Sequence, residues 1–340
     1  MAGSKPKAAV RLSTPMRSLA WLNVLKKLTL WSCLGDQSMK QLFFVLASAL
    51  ALVGGAAASA EEPEPAAIHC DLPGGWSDVA ELNARFVVFG ELHGTKEGPS
   101  FVGSLACALG RKNNRVLVAI EHNAAENEAL QYAWNSDDFE QRLRTLLFAE
   151  GSDGRSSSAM FDLLVRLHRV KQSGAPLSIV AFNGFRDEQQ ADRFSNLTGQ
   201  GPWEAAQADN IATASTSPTY DHVLVLVGNF HAMKTPVSRG GYDWDPMALH
   251  LSRYGKTVTL NMRYGDGTSW NCLLKPGVDQ TKGPVGSDDI DCGPHPTKGE
   301  PDLGSEPFIK LEQTDTRNEQ SAFDGFFWVG AISASAPKSP

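Results

Sequence analysis

Residues Arg85–Gly94 read RFVVFGELHG, and this stretch carries the clearest structural signal in the sequence. An apolar run typical of a buried β-strand passes directly into a polar turn that contains glycine. Arg115–Glu121 (RVLVAIE) repeats the pattern, with branched apolar residues that end in a carboxylate. Further apolar runs of the same kind are Leu177–Phe182, His222–Val227 and Val258–Met262. Because polar residues hardly interrupt these runs, we expect both faces of each strand to be buried.

Helical periodicity fills the connections between these strands. The predicted helices are Phe101–Leu109, Ala125–Trp134, Asp138–Phe148, Ala159–Lys171, Asp187–Leu197 and Met247–Tyr254. Buried strands that alternate with helices predict an α/β fold, with a mainly parallel central sheet and helices on both faces. The C-terminal third departs from this pattern. Residues 275–307 are rich in Gly, Pro and Asp and predict an extended loop in a long irregular segment, whereas Phe323–Ile332 can return as an edge strand.

The first 60 residues have the composition of a targeting segment. Met39 and Lys40 precede an apolar run, and the segment ends in the small residues Ala58-Ser59-Ala60. These features predict a secretory signal peptide that starts at Met39, follows an N-terminal extension and is cleaved after Ala60. An uncleaved membrane anchor is the alternative, but the alanine-rich second half is weakly apolar for a span of ~20 residues. We therefore predict an exported protein, periplasmic or extracellular, in which residues 61–340 form one domain without a stable membrane span.

The charge of the mature chain limits its partners. Removing residues 1–60 takes away seven of the 31 basic residues and one of the 38 acidic residues, which leaves a formal charge of −13. Nucleic acids and anionic lipids require clustered Lys and Arg. The sequence therefore excludes nucleic acid and favours a small-molecule or peptide substrate, and it carries no signal for an oligomeric state.

Four cysteines remain after cleavage: Cys70, Cys107, Cys272 and Cys292. An even number of cysteines in an oxidising compartment predicts disulfide bonds, for which three pairings exist. We favour Cys70–Cys107 and Cys272–Cys292, because the second bond would hold together a Gly/Pro/Asp-rich stretch that has little core of its own. None of the four has the close spacing of a zinc or redox motif.

Two matching turns follow the first and fourth predicted strands. Gly90 and Gly228 each lie at a strand end, and each is followed three residues later by a histidine, His93 and His231. Glycine permits a sharp exit from a strand and a close approach of backbone to a ligand. Because ligands of open parallel sheets bind beyond the carboxyl ends of the strands, we expect both imidazoles at one place.

Carboxylates are predicted at the same edge. Glu91 lies in the first turn, and Glu121 ends the second strand. Together with His93 and His231 they form the predicted catalytic set, in which His93, Glu121 and His231 can ligate a divalent metal such as zinc. The same set can work without metal, with histidine as a general base that a glutamate positions.

Polar side chains at the remaining strand ends are candidates for substrate binding. Asn183 and Arg186 follow the third strand, and Asn229 lies in the turn before His231.

The motifs carry a family resemblance. Gly90–His93 (GELH) matches the GExH string that opens ChaN-like domains, and Gly228–His231 (GNFH) resembles their later GNxH. The chain therefore resembles the superfamily that joins ChaN-like haem-binding proteins, TIKI/TraB metalloproteases and erythromycin esterases, over roughly residues 85–262. This resemblance implies an α/β sheet, and it implies metal, haem or neither as the cofactor, since members of the superfamily bind haem, cleave peptides or hydrolyse esters.

Three functions follow as hypotheses. The first is an exported hydrolase, metal-assisted or using a His/Glu pair, that acts on an ester or amide. The second is a haem- or iron-binding protein of the ChaN kind. The third is a non-catalytic exported domain that keeps the polar residues as a structural network.

Overall fold

The structure is a computed structural model, which describes residues 70–146, 148, 154–216, 219–278, 286–312 and 321–338. The predicted N-terminal extension, signal peptide and cleavage point lie outside these residues. Within these ranges, none of the helices has the length and apolar character needed to cross a bilayer.

The strands alternate with helices as the sequence predicts. They are β1 (Phe86–Glu91), β2 (Val116–Asn123), β3 (Leu177–Asn183), β4 (His222–Gly228), β5 (Val237–Arg239), β6 (Tyr242–Trp244), β7 (Thr257–Gly265), β8 (Gly267–Leu274), β9 (Ile290–Thr297), β10 (Phe308–Leu311) and β11 (Gly325–Ala331). Among the described residues, the central sheet has seven strands in the order β10-β11-β7-β1-β4-β2-β3. All neighbours in it pair in parallel except β10 and β11, which are antiparallel. The predicted α/β class is confirmed.

Helices cover both faces of the sheet. They are α1 (Trp76–Glu81), α2 (Glu97–Arg111), α3 (Asn127–Trp134), α4 (Phe139–Leu146), α5 (Ser158–Gln172), α6 (Glu188–Phe194), α7 (Gly201–Ala214) and α8 (Met247–Leu251). One apolar core joins α2 and α5 to side chains such as Phe89 and Ile120. A second core joins α7 and α8 to the opposite side chains, such as Phe86 and Val225. Alternate residues of each strand therefore serve different cores, which explains the uninterrupted apolar runs.

The prediction of an extended loop over residues 275–307 is wrong in part. β9 lies within this range and pairs antiparallel with β8, where Cys272 lies opposite Cys292. Proline is acceptable in β9 because Pro294 and Pro296 are two residues apart, and their nitrogens can both face away from the single partner strand.

The last strand also differs from its prediction. Phe323–Ile332 does return to the sheet as β11, but β10 covers it and becomes the edge strand. Two helices, α1 and α7, lie in segments for which the sequence pattern predicts none. α7 is rich in alanine and buries Glu204, Gln207 and Asn210 along with its apolar residues, so it lacks the apolar stripe that reveals a surface helix.

Disulfide bonds join Cys70 to Cys107 and Cys272 to Cys292. These are the pairings that the sequence analysis favours. The first ties the start of the described chain to α2, and the second fastens the β8–β9 hairpin.

Candidate functional site

The candidate site lies at the carboxyl edge of the central sheet, where β1, β4 and β2 are consecutive strands. Glu91 at the end of β1 is in register with Gly228 at the end of β4. The turn that follows each strand carries a histidine, so His93 and His231 both lie at this edge. Glu121, near the end of β2, completes the set.

His93 lies between two carboxylates. Its Nδ1 is 3.0 Å from Oε1 of Glu91, and its Nε2 is 3.2 Å from Oε2 of Glu121. The imidazole is 31% exposed, whereas the two carboxylates are almost fully buried. One side of the ring is therefore open to solvent, while each of its nitrogens contacts a carboxylate oxygen.

Glu121 is the central group of the site. Its Oε2 accepts a hydrogen bond of 2.8 Å from the backbone N–H of Gly228. Its Oε1 is 3.8 Å from Nε2 of His231 and 3.6 Å from Nη1 of Arg155. The Oε2 atom is thus fixed by short contacts, and the Oε1 atom has His231 and Arg155 somewhat beyond direct hydrogen-bond distance.

A glutamate that the sequence analysis does not predict orients His231. Nδ1 of His231 is 2.7 Å from Oε1 of Glu204, which lies in the first turn of α7 and is fully buried. The other oxygen of Glu204 accepts a hydrogen bond of 2.8 Å from the backbone N–H of Met247. Because Nδ1 is engaged, Nε2 is the nitrogen of His231 that faces Glu121.

These contacts form a continuous chain from one buried carboxylate to another. It runs in the order Glu91, His93, Glu121, His231, Glu204. Each histidine is held at Nδ1 by its own glutamate, and the Nε2 atoms of both face the carboxylate between them. We call this set the Glu–His chain.

Charge pairing shifts the pKa values at the centre of the chain. Burial lowers the pKa of His93, but the charge of Glu121 and hydrogen bonds to both glutamates outweigh it and raise the pKa to about 10. Burial raises the pKa of Glu121, but the charges of His93 and His231 prevail and lower it to about 2. At neutral pH, His93 is therefore a cation and Glu121 an anion.

The pKa values of Glu91 and His231 are raised as well. Burial raises the pKa of Glu91, an effect that its hydrogen bond to His93 only partly offsets. The Oε2 atom of Glu91 is buried and has no hydrogen-bond partner among the described residues. For His231, burial lowers the pKa, but the hydrogen bond to Glu204 and the charge of Glu121 outweigh it and raise the pKa above its usual value.

Glycines give the side chains their space. A Cβ atom on Gly228 would lie 2.8 Å from Nε2 of His93, and one on Gly98 in the first turn of α2 would collide with Oε2 of Glu91. The glycine that ends β4 is therefore required by the imidazole that arrives from β1.

The turn after His93 is clamped by three other segments. The carbonyl of Gly94 accepts hydrogen bonds from the backbone N–H of Trp270 at 2.9 Å and of Ser335 at 2.8 Å. A Cβ atom on Gly154 would collide with the backbone of Gly94, so the segment that carries Arg155 also touches this turn. The C-terminal residues thus help to fix the position of His93.

The predicted substrate-binding residues lie in different surroundings. The side-chain oxygen of Asn183 accepts hydrogen bonds from Trp203 and Gln207 of α7. Arg186 contacts Asp209 at 3.0 Å and Asp187 at 3.4 Å. Asn229 is exposed in the turn before His231, and its backbone N–H donates to the carbonyl of Glu91. Substrate binding by these residues stays a prediction.

The predicted metal ligands are close together but are arranged as hydrogen-bonding partners. Within the described residues, no group of three or more His, Cys, Asp or Glu side chains has the geometry to hold a metal ion. The Nε2 atoms of His93 and His231 lie 3.2 and 3.8 Å from the carboxylate oxygens of Glu121, and the Oε2 atom of Glu121 accepts the N–H of Gly228. Metal binding by these residues stays a prediction.

Sequence reasoning missed Glu204 and Arg155. High alanine content and Pro202 at the helix start are the signals that could have revealed α7, since alanine favours helix and proline is tolerated in the first turn. Arg155 lies in a short 3₁₀ turn before α5, and only its contact with Glu121 identifies it. No periodic pattern marks such a turn.

Comparisons with known proteins establish the fold. No protein-family model matches the chain, and no curated protein sequence matches it at a significant level. A solved protein from Bacillus cereus is 11% identical, with a TM-score of 0.51 over 78% of this chain and 93% of that chain. A histidine-to-asparagine mutant of the erythromycin esterase EreC, in its open conformation, is 14% identical, with a TM-score of 0.50 over 78% and 93%.

Haem-binding ChaN of Campylobacter jejuni is also similar, at 15% identity, but the TM-score is 0.35 over 56% of this chain and 86% of that chain. A likeness of that size carries no argument about haem. The chain therefore shares the fold of the Bacillus cereus protein and of the erythromycin esterase, and this is the α/β fold that the resemblance implies.

Proposed function

We propose that this chain is an exported hydrolase that cleaves an ester or amide by acid–base chemistry of its histidine and glutamate side chains. The observation that carries the proposal is the Glu–His chain, because it places two oriented imidazoles on one carboxylate at the ligand-binding edge of the sheet. A shared fold with an erythromycin esterase favours hydrolysis as the reaction class, although a fold alone does not fix a function.

His231 is the general base of the proposed reaction. Glu204 holds Nδ1, so the lone pair of the neutral ring lies on Nε2. The 3.8 Å between Nε2 and Oε1 of Glu121 is too long for a direct hydrogen bond and leaves both atoms available to one water molecule. That water loses its proton to Nε2 as its oxygen attacks the carbonyl carbon of the substrate.

His93 is the general acid. Its raised pKa keeps the ring protonated at neutral pH, and its exposed side faces solvent at the same edge. When the tetrahedral intermediate collapses, the bond from carbon to the leaving oxygen or nitrogen breaks, and that atom takes the proton from Nε2 of His93. Glu91 holds Nδ1 throughout and fixes the orientation of the ring.

The starting protonation states are restored through solvent. After product formation His231 is protonated and His93 is neutral, and both rings are partly exposed. His231 therefore releases its proton to solvent water, and His93 takes up a proton from it. The charge of Glu121, which lies between the two Nε2 atoms, stabilises whichever ring is protonated.

Export is supported by the disulfides. Both bonds involve residues of the predicted mature chain, and such bonds persist in oxidising compartments outside the cytosol. Together with the predicted signal peptide, they favour a periplasmic or extracellular protein.

The test is hydrolysis of ester and amide panels by the mature protein and by the variants His93→Gln and His231→Gln. We expect each variant to lose about 10²–10⁴-fold in kcat/KM with an unchanged fold. His295→Gln is the matched control, since His295 lies in β9 outside the Glu–His chain and should retain full activity. An inactive wild-type protein whose histidine variants merely melt at lower temperature would support the non-catalytic domain instead.

Metal and haem are tested with the same preparations. Elemental analysis of untagged protein, followed by assay with added zinc, decides whether a divalent metal is needed. A haem titration decides the ChaN-like alternative, in which His93 would bind iron. A Soret shift that disappears in His93→Ala would favour that alternative over hydrolysis.

A further inference from the structure

Five aromatic side chains gather around the start of α7, next to the Glu–His chain. We call this set the aromatic rim: it consists of Phe185, Trp203, Phe230, Tyr242 and Trp244. Phe185 and Trp203 make an edge-to-face contact at 5.5 Å between ring centroids, and Phe230 lies 6.4 Å from Trp244. Such clusters at a surface usually have a binding role, because apolar rings are costly to leave in water.

Trp203 is exposed and yet held in place. Its Nε1–H donates to Asn183 at 2.9 Å, and a Cβ atom on Gly184 would lie 2.6 Å from its ring. Nevertheless, 42% of the residue is exposed. A rigid exposed indole can bind a ligand with little loss of conformational entropy, which is why tryptophan is frequent at recognition sites.

The second part of the rim is similarly supported. Trp244 is buried and lies against Gly199, while Tyr242 is 59% exposed on the same short hairpin. Phe230 is partly exposed and immediately precedes His231. The buried indole thus supports rings that face solvent beside the proposed base.

The topology places the rim at the same edge of the sheet as the Glu–His chain. β3, which leads to Phe185, is the direct neighbour of β2, which carries Glu121. Because the carboxyl ends of parallel strands lie at one edge, Phe185 and the Trp203 ring in contact with it are at the edge where Glu121 lies. Trp203 also directly precedes Glu204, the partner of His231.

We propose that the aromatic rim binds an apolar ring of the substrate, an aryl or fused-ring group attached to the ester or amide that the Glu–His chain cleaves. This inference rests on the proposed hydrolase function and specifies its substrate class. An apolar ring fits better than a sugar, because the indole N–H of Trp203 is already engaged by Asn183 and that of Trp244 is buried. Neither indole offers a donor to the hydroxyls of a sugar.

The kinetic test compares esters with and without a ring. The substrates are ethyl 2-naphthylacetate, 2-naphthylmethyl acetate and ethyl acetate, assayed in a pH-stat. For Trp203→Ala we expect kcat/KM to fall about 10-fold for the preferred naphthyl ester and less than about 2-fold for ethyl acetate. Trp203→Phe keeps a ring at this position and should retain most of the preference. Tyr132→Ala removes an even more exposed aromatic residue from α3 and should change nothing.

A binding measurement separates this inference from the hydrolase proposal. Calorimetric titration with 2-naphthylmethanol, which cannot be hydrolysed, should show binding to wild type and to His231→Gln, and weaker binding to Trp203→Ala. If the protein binds 2-naphthylmethanol but hydrolyses no ester, the aromatic rim is still a site for an apolar ring, and the proposed hydrolysis is wrong. Hydrolysis without a preference for ring-bearing esters, or ring binding unaffected by Trp203→Ala, would overturn the rim.

Discussion

Replacing Gly228 with alanine tests the geometry of the Glu–His chain most directly. The added Cβ atom would lie 2.8 Å from Nε2 of His93, 3.4 Å from Cδ2 and 3.5 Å from Cε1. Gly228 does not have a positive φ, so alanine adopts its backbone conformation without strain. The substitution therefore acts first on the imidazole of His93, whose atoms are the nearest to the added carbon.

The expected displacement follows from these distances. An ordinary non-bonded contact is about 3.5–4.0 Å, so the ring has to withdraw by about 0.7 Å or more. Because Nε2 is now 3.2 Å from Glu121, that movement takes it beyond hydrogen-bond distance. Without this partner the pKa of His93 should fall well below about 10, toward its usual value of 6.5. A misplacement of this size costs on the order of 10²-fold in rate, and the overpacking costs about 1–3 kcal/mol of stability.

The assay is an NMR titration of the His93 imidazole in the wild type and in Gly228→Ala, with kcat/KM and Tm measured on the same samples. Gly293→Ala is the matched control, since a Cβ atom there has no neighbour within 4 Å. An unchanged His93 pKa together with an unchanged rate in Gly228→Ala would show that the ring does not lie where the structure places it.

Further expectations concern pH and the second imidazole. The value of kcat/KM should rise above pH 6.5, because His231, with its raised pKa, loses its proton there. It should fall near pH 10, because His93 loses its proton there. A profile with a single ionisation across that range would contradict the assigned roles. Stability should follow the same groups. The contribution of His93, whose folded pKa is raised, is fully present below pH 6.5 and lost as the pH rises through about 10, whereas that of Glu121 is present above pH 4.5 and lost as the pH falls toward about 2. Tm measured against pH should show both losses in the wild type, and Glu121→Gln should flatten them. Glu204→Gln keeps an oxygen for the N–H of Met247 but places an amide N–H against Nδ1 of His231, so the ring takes the wrong tautomer. We expect kcat to fall about 10²-fold or more with little change in KM. A normal kcat in this variant would show that His231 is not the general base.

The sequence predicts the strands of the site and the turns that follow them because these signals are local. A buried apolar run, a glycine and a histidine three residues later are all contained in Gly90–His93 and in Gly228–His231. That the two turns meet depends on β1 and β4 being neighbours, which the sequence does not encode locally. The similarity of the two motifs leads us to expect that the two histidines lie close together. The distances between them follow from the order of strands in the sheet, which the motifs do not contain.

Glu204 was missed for a physical reason. A helix that buries its polar side chains against a site has no apolar stripe, so the periodicity of α7 carries no helical signal. Its first turn reaches His231 because the helix packs against the sheet through the second core. Interactions of this kind, between residues 27 positions apart on different elements, come from tertiary packing alone.

The second strand of the β8–β9 hairpin, β9, lies in the segment predicted as a loop because the composition of that segment is typical of turns. Pairing with a single neighbouring strand tolerates Pro294 and Pro296, and the Cys272–Cys292 bond replaces the apolar packing that such a short sheet lacks. Composition alone cannot distinguish a loop from a hairpin that is fastened covalently.

The clamp on Gly94 has a consequence for the order of events during biosynthesis. Ser335, which holds this turn, follows every member of the Glu–His chain in the sequence, whereas His93 is among the first of the described residues to be made. Translation therefore produces every residue of the Glu–His chain before Ser335. A chain that ends before Ser335 lacks the hydrogen bond from its N–H to the carbonyl of Gly94. Chains truncated before Ser335 should therefore be inactive, and hydrolysis by such a truncated chain would show that the closing contact is dispensable.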